Sequence, residues 1–275
     1  MEYSKFKEIL DKHLIIDDKT TFVKSLVHTK DAAMRLMSGF KITSLESRIT
    51  SKYLTSIQIK LGDALEDVFK EYLKEKGVNF LPRNFVTDKD CDQIFTYNGV
   101  TFLIEQKIRD DHDSSKKEGQ ITNYNIKKQT IAKKVNNYAT CCWFIDPDFE
   151  KNKKYYSSVL NENELYYGKE IEYFLSEIVF HDDRCNGFFD ELITYLEKYS
   201  NEFSILDLTN LSINYKDFTV SELYRLLQSK TYINKVSQIF FNNNIPFAEI
   251  YNYITSKQAV NCTEDFKKLL KEYME

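Results

Sequence analysis

Asp92, Glu105 and Lys107 are the residues whose types and spacing point most directly to chemistry. Twelve residues separate the two acids, and Asn98-Gly99 stands midway between them. An Asn-Gly pair flanked by apolar runs is the strongest short signal for a two-residue hairpin turn. Counting outward from it pairs Tyr97 with Val100, Thr96 with Thr101, Phe95 with Phe102, Ile94 with Leu103, Gln93 with Ile104 and Asp92 with Glu105. Facing residues hold their Cβ atoms about 5 Å apart on one face, and like charges placed so need compensation. Lys107, two residues beyond Glu105, points to that same face, diagonal to Asp92. Two hard oxygen ligands converging at a strand end suit Mg²⁺, which takes one or two carboxylates and fills its other positions with water and phosphate. Such an ion polarises a phosphate and lowers the pKa of a bound water, while a lysine beside it orients that water or helps deprotonate it. These are the parts needed to hydrolyse a phosphodiester. The same three residues also fit a solvent-facing ion network in which Lys107 bridges both acids.

The elements that must position these residues follow from periodicity. Ile57, Leu61, Leu65, Val68 and Tyr72 recur at helical spacing and predict an amphipathic helix that stops near Gly77. Residues 90–107 read as strand, 120–136 as helix, and 140–145 (TCCWFI) as a short buried strand closed by Asp146 and Pro147. The predicted order is helix, hairpin, helix, strand. Residues 3 to about 50 read as polar helices. The chain after 150 reads as mainly helical, with Thr219 and Glu222 at capping-box spacing and a break at 242–246. The expectation is an α/β fold in three consecutive regions: 1–53 helical, 54–150 the core with the hairpin, and 151–275 mainly helical.

Asp92 followed by Glu105-Gln106-Lys107 resembles the D…(D/E)xK signature of the PD-(D/E)xK nuclease superfamily, which includes many type II restriction endonucleases. Cys91 stands where proline is usual. The resemblance covers residues 54 to 147, about a third of the chain. It implies a nuclease core of helix, β-hairpin, helix and strand with large helical flanking regions, Mg²⁺ as cofactor, and catalytic roles for Asp92, Glu105 and Lys107. Asp92 and Glu105 are then the metal ligands. In such enzymes the preceding helix often carries an acid near the metals, and Glu66 in GDALEDVFKEYL is the match; an exposed helix glutamate fits it as well. Gln120 and Tyr124 have the QxxxY spacing of the RecB-like branch, which puts both on one helix face. The run Arg109 to Lys117 is similar to a loop that approaches DNA in restriction enzymes. His112, flanked by aspartates, also fits a metal ligand or an exposed polar loop. His13, His28 and His181 lack partners at ligand spacing and read as structural.

A formal net charge of −4 argues against a surface that grips nucleic acid all over. Charge is local instead: from Lys107 to Lys134 eight basic residues stand against four acidic ones. Arg109, Lys116, Lys117, Gln120, Tyr124, Lys127 and Lys128 are the expected DNA contacts. A solvated helix face gives the same pattern without any partner. Seven glycines and three prolines are too few to punctuate a many-stranded barrel, so helices should predominate. The 19 tyrosines and 20 phenylalanines serve base stacking in one reading and half-buried helix faces in the other. No apolar run approaches the roughly 20 residues of a membrane span, and the charged start MEYSKFKEIL is unlike a signal peptide, so a cytoplasmic protein is expected. Five cysteines without a CxxC pair read as reduced, packed thiols.

The expected function is a type II restriction endonuclease that cuts double-stranded DNA at a specific sequence with Mg²⁺. It is expected to act as a homodimer beside a cognate DNA methyltransferase that it does not bind. Large helical flanks and the lack of helicase, zinc or P-loop motifs favour this over a DNA repair or recombination nuclease of the same superfamily. A non-catalytic DNA-binding module is the remaining alternative.

Overall fold

The computed structural model describes all residues except 17, 39–41, 87–89, 112, 209–210, 229–232, 242–246, 257–262 and 275. In chain order the elements are α1 (Tyr3–Leu14), α2 (Lys19–Leu26), α3 (Lys30–Met37), α4 (Leu45–Glu75), β1 (Asn79–Phe80), β2 (Gln93–Tyr97) and β3 (Val100–Lys107). Then come α5 (Ser114–Lys134), β4 (Tyr138–Phe144), α6 (Lys153–Val159), β5 (Leu165–Tyr167), α7 (Ile171–Tyr173) and α8 (Phe188–Glu202). The chain closes with α9 (Val220–Leu227), α10 (Ile233–Phe241), α11 (Phe247–Ser256) and α12 (Thr263–Met274). The fold is mixed α/β, with one five-stranded open sheet and many helices. The expected helix, hairpin, helix and strand are present as α4, β2–β3, α5 and β4. The expected break at 242–246 lies outside the described residues.

Residues 1–14 and 60–203 form one compact unit, which holds the sheet. Its strand order is β1-β2-β3-β4-β5. β1 to β3 pair antiparallel, and β3 to β5 pair parallel. Asn98 and Gly99 turn the hairpin with φ of 47° and 78°. Two successive positive angles match the right-handed twist of the flanking strands, and Asn-Gly adopts them at least strain. The turn fixes the register, which runs from Tyr97 opposite Val100 to Gln93 opposite Ile104 as counted from the sequence. The ladder ends at Gln93, so the expected cross-strand pair of Asp92 and Glu105 is replaced by a different contact, described below.

Asp113 caps α5 by accepting from the Lys116 amide at 2.9 Å, so the helix starts at Ser114, earlier than the expected residue 120. α5 then carries the chain across the sheet to lay β4 parallel to β3. Helices cover both faces, which is why six consecutive residues of β3 are buried without alternation. On one face Leu103, Cys142 and Phe144 pack with Ile121, Tyr124 and Ile131 of α5. On the other, Trp143 meets Phe69 of α4 at 4.9 Å between ring centroids, and its Nε1 donates to the Gly168 carbonyl at 3.0 Å. A Cβ at Gly168 would stand 2.8 Å from Cβ of Pro147, and its φ is 47°, so only glycine fits there.

β1 and β5 were not expected from the sequence. β5 draws residues after 150 into the sheet, and Phe6 of α1 packs on Tyr195 of α8 at 5.4 Å. The compact units therefore interleave along the chain and do not follow the consecutive division 1–53, 54–150 and 151–275. The second unit comprises residues 15–59 and 204–275 and is helical among its described residues. Its core includes Phe22, Ile49, Tyr53, Leu223, Phe240, Ile254 and Phe266. Thr219 and Glu222 form the expected reciprocal capping box at the start of α9. Cys91, Cys141, Cys142 and Cys185 are free and buried, whereas Cys262 lies outside the described residues. Among the described residues no helix is long and apolar enough to cross a membrane.

Candidate active site

Glu105 and Lys107 share a face of β3, as their spacing dictates. Asp92 joins them from the bend just before β2. Its Oδ2 accepts from the Gln106 amide at 2.8 Å and from Lys107 Nζ at 2.7 Å. The Asp92 carboxylate thus takes the backbone donor that the shortened β2 leaves unused. Lys107 Nζ also donates to the Gln106 carbonyl at 2.8 Å and lies 3.5 Å from Glu105 Oε1. The second oxygen of Glu105, Oε2, accepts from Lys127 Nζ at 2.6 Å. Charges therefore alternate along one line of contacts: Asp92, Lys107, Glu105, Lys127.

Glu66 reaches the same cluster from α4. Its Oε2 pairs with the Arg83 guanidinium at 2.8 Å, and its backbone carbonyl accepts from Gln93 Nε2 at 2.8 Å. Arg83 is also tied to the residue preceding Asp92: its Nε donates to the Cys91 carbonyl at 3.1 Å, and the Cys91 amide donates to its own carbonyl at 2.9 Å. Burial, and after it the charge of Asp92, pushes the Glu66 carboxyl up to about 7. Burial works against the Lys107 ammonium, but the carboxylates of Asp92 and Glu105 outweigh it and hold the proton more tightly than usual. The Cys91 thiol is pushed up to about 11, chiefly by burial, so it is a packing group and not a nucleophile.

Three carboxylates, from Glu66, Asp92 and Glu105, are hard oxygen donors of the kind Mg²⁺ takes. Among the described residues no three acidic, histidine or cysteine groups are already gathered around one point. Each carboxylate faces a cation instead: Glu66 with Arg83, Asp92 with Lys107, Glu105 with Lys127. These three carboxylates are the residues that would hold a divalent ion, each turning from its present cation to do so.

The expected DNA contacts divide in two. Tyr124 is 0% exposed and donates its hydroxyl to Thr140 Oγ1 at 2.8 Å, so it is a core residue. Gln120 shares its side of α5 and accepts from the Tyr156 hydroxyl at 3.3 Å. Lys127 is 5% exposed and belongs to the acidic cluster, and Lys128 pairs with Glu164. Tyr124 and Lys127 are thereby corrected from DNA contacts to inward-facing groups, because α5 packs that side of the helix on the sheet, whereas Gln120 and Lys128 are half-buried. Arg109, paired with Asp146 at 3.4 Å, and Lys116 remain exposed. Lys117 lies over the Tyr155 ring at 4.5 Å. His112 lies outside the described residues. His13 bonds Asp67 at 2.9 Å and His28 the Ser25 carbonyl at 2.7 Å, while His181 turns the chain with φ of 57°.

Arg83, the inward role of Lys127, and Asp110 were missed from the sequence. Asp110 is 0% exposed, and its carboxylate accepts from the Asn152 amide at 2.7 Å, Asn152 Nδ2 at 2.8 Å and the Tyr167 hydroxyl at 3.0 Å. It anchors the segment leaving Lys107. A separate cavity of about 430 Å³ beside β5 is lined by Lys153, Asn161, Tyr166, Tyr167, Glu170 and Tyr173 among others, and none of the cluster residues line it. The cluster is the stronger candidate, since it gathers charges that are costly to bury without purpose. No protein-family model matches the chain, and no curated protein matches it significantly.

Proposed function

We propose that the chain is a Mg²⁺-dependent endodeoxyribonuclease of the PD-(D/E)xK kind, most specifically a type II restriction endonuclease. The observation that carries this reading is the contact of Lys107 with both Asp92 and Glu105 at the end of a hairpin that a crossover helix links to a parallel strand. Asp92 and Glu105 would hold the ion, with Glu66 as a further ligand. When bound, Mg²⁺ supplies charge for the phosphate oxygens and a more acidic water. Lys107, within reach of both acids, would orient the attacking water and face the phosphate charge as a donor. Hydrolysis forms one P–O bond from water and breaks one P–O ester bond.

The restriction reading rests on the resemblance and on a second helical unit of a size suited to base recognition. One set of Asp92, Glu105 and Lys107 cuts one strand. A double-strand break at a palindromic site then calls for two chains on a two-fold axis. Light scattering of a Ca²⁺-supported DNA complex should read two chains per duplex, and one chain per duplex with accumulating nicks would contradict the dimer. The reading as a non-catalytic DNA-binding module is favoured by one observation, that every carboxylate already faces a cation. Incubation with duplex DNA and Mg²⁺ separates the two: discrete fragments support the enzyme, a smear or junction-only cutting supports a repair nuclease, and no cutting supports the module.

A further inference from the structure

Lys127 sits where neither a DNA contact nor an ordinary surface pair belongs. It lies in the buried stripe of α5 with Ile121, Tyr124 and Ile131, and it is the one charged residue there among the described residues. Its Nζ is 2.6 Å from Glu105 Oε2, and Glu105 is 8% exposed. Lys107 differs in kind: its side chain is 32% exposed, and it divides its contacts between Asp92 and Glu105.

We infer that Lys127 is a built-in counter-ion for Glu105, a positioning residue that sets how strongly the cluster takes a divalent cation. The inference rests on the nuclease reading of the cluster. By holding Oε2, Lys127 leaves Oε1 as the oxygen turned toward Lys107 and Asp92. It also keeps a positive charge within a few ångströms of any ion that Glu105 binds. With Glu66 ionised, three carboxylates stand against three cations, so the cluster is formally neutral before any metal arrives. Removing the charge of Lys127 leaves Glu105 uncompensated on one side. The relief of repulsion between two cations this close exceeds the loss of a single orienting hydrogen bond.

The test is Mn²⁺ binding to the DNA-free full chain, followed by the magnetic resonance signal of the free ion. Lys127→Met and Lys127→Gln should each bind Mn²⁺ about tenfold more tightly than the parent, the scale expected for one nearby unit charge after screening. Lys127→Arg, which keeps the charge, should bind as the parent does. Gln retains a donor for Oε2, so it reports on charge even where Met fails to fold. Unchanged or weaker Mn²⁺ binding by folded Lys127→Gln would overturn the inference, as would tighter binding by Lys127→Arg. Duplex cleavage by the parent in Mg²⁺ is read in parallel. A parent that cuts DNA while Lys127→Gln binds Mn²⁺ no tighter sinks this inference alone, whereas a parent that neither binds Mn²⁺ nor cuts sinks the nuclease reading with it.

Discussion

Lys107 Nζ donates to Asp92 Oδ2 at 2.7 Å, joining residues 15 positions apart across the end of one hairpin. The same Asp92 oxygen holds the Gln106 amide, so this carboxylate serves the backbone as well as the charge balance. Asp92→Asn keeps an acceptor for the amide while removing the charge. It should fold as the parent does, cut DNA at least about a hundredfold more slowly, and bind duplex DNA no more weakly, since one charge that repels phosphate is gone. Asp92→Ala loses the acceptor too and should also lower the unfolding midpoint. Rate measurements beside circular dichroism separate the two effects.

Glu66 gives a pH signature. Its carboxyl stands at about 7 in the fold against 4.5 ordinarily, so the native state binds this proton more tightly than the unfolded chain. The stability it contributes is full below pH 4.5 and is lost as pH rises through 7. Glu66→Gln, which can still accept from Arg83, should therefore melt higher than the parent at pH 8 and alike at pH 4. Mg²⁺ bound at Glu66 would hold it ionised, so adding Mg²⁺ at pH 6.5 in weak buffer should release protons from the parent and fewer from Glu66→Gln. Equal proton release from both would remove Glu66 from the metal site.

Asp110 is a carboxylate without exposure that accepts three hydrogen bonds. Asp110→Ala strands three buried donors and should destabilise the fold by about 3 kcal/mol. Urea unfolding measures this directly. A loss below about 1 kcal/mol would mean that the donors find other partners.

Lys133 and Lys134 are exposed on α5, and Lys134 reaches the Phe85 carbonyl at 2.6 Å. Replacing both by Met should weaken DNA binding for every sequence alike and reduce the salt slope by about 1 for each phosphate that a lysine no longer neutralises. The cleavage positions should not change, because phosphate contacts position a protein without reading bases. A changed fragment pattern with an unchanged salt slope would place these lysines off the backbone.

The hairpin was legible because its cause is local: Asn98-Gly99 sets the turn, and counting gives the partners. Counting cannot tell where a ladder stops, so the Asp92 contact with the Gln106 amide was not foreseen. α4 and α5 were legible as helices, but each begins earlier than its apolar repeat suggests; α5 starts where Asp113 caps it. The inward turn of Lys127 was hidden because basic residues along α5 look alike until the helix is laid on the sheet, and its partner Glu105 is 22 positions away. Asp110 sits in a run of charges that resembles solvated loop, and its burial depends on Asn152 and Tyr167. β5 has three residues, too few for a period, and exists through its parallel pairing with β4. That pairing also sends residues 151–203 to the sheet unit, a long-range fact with no local signal.

Glu105 stands between Lys107 and Lys127, and the proposed chemistry turns on its role. The most direct test is digestion of a long sequenced duplex by the parent and by Glu105→Gln, with Mg²⁺ and with chelator, followed by mapping of the ends. A restriction nuclease built on Glu105 gives discrete fragments sharing one end sequence for the parent with Mg²⁺, and none with chelator or with Glu105→Gln at equal protein and equal folded fraction. Undiminished cutting by Glu105→Gln, or an intact duplex after prolonged incubation of the folded parent with Mg²⁺ or Mn²⁺, would contradict it.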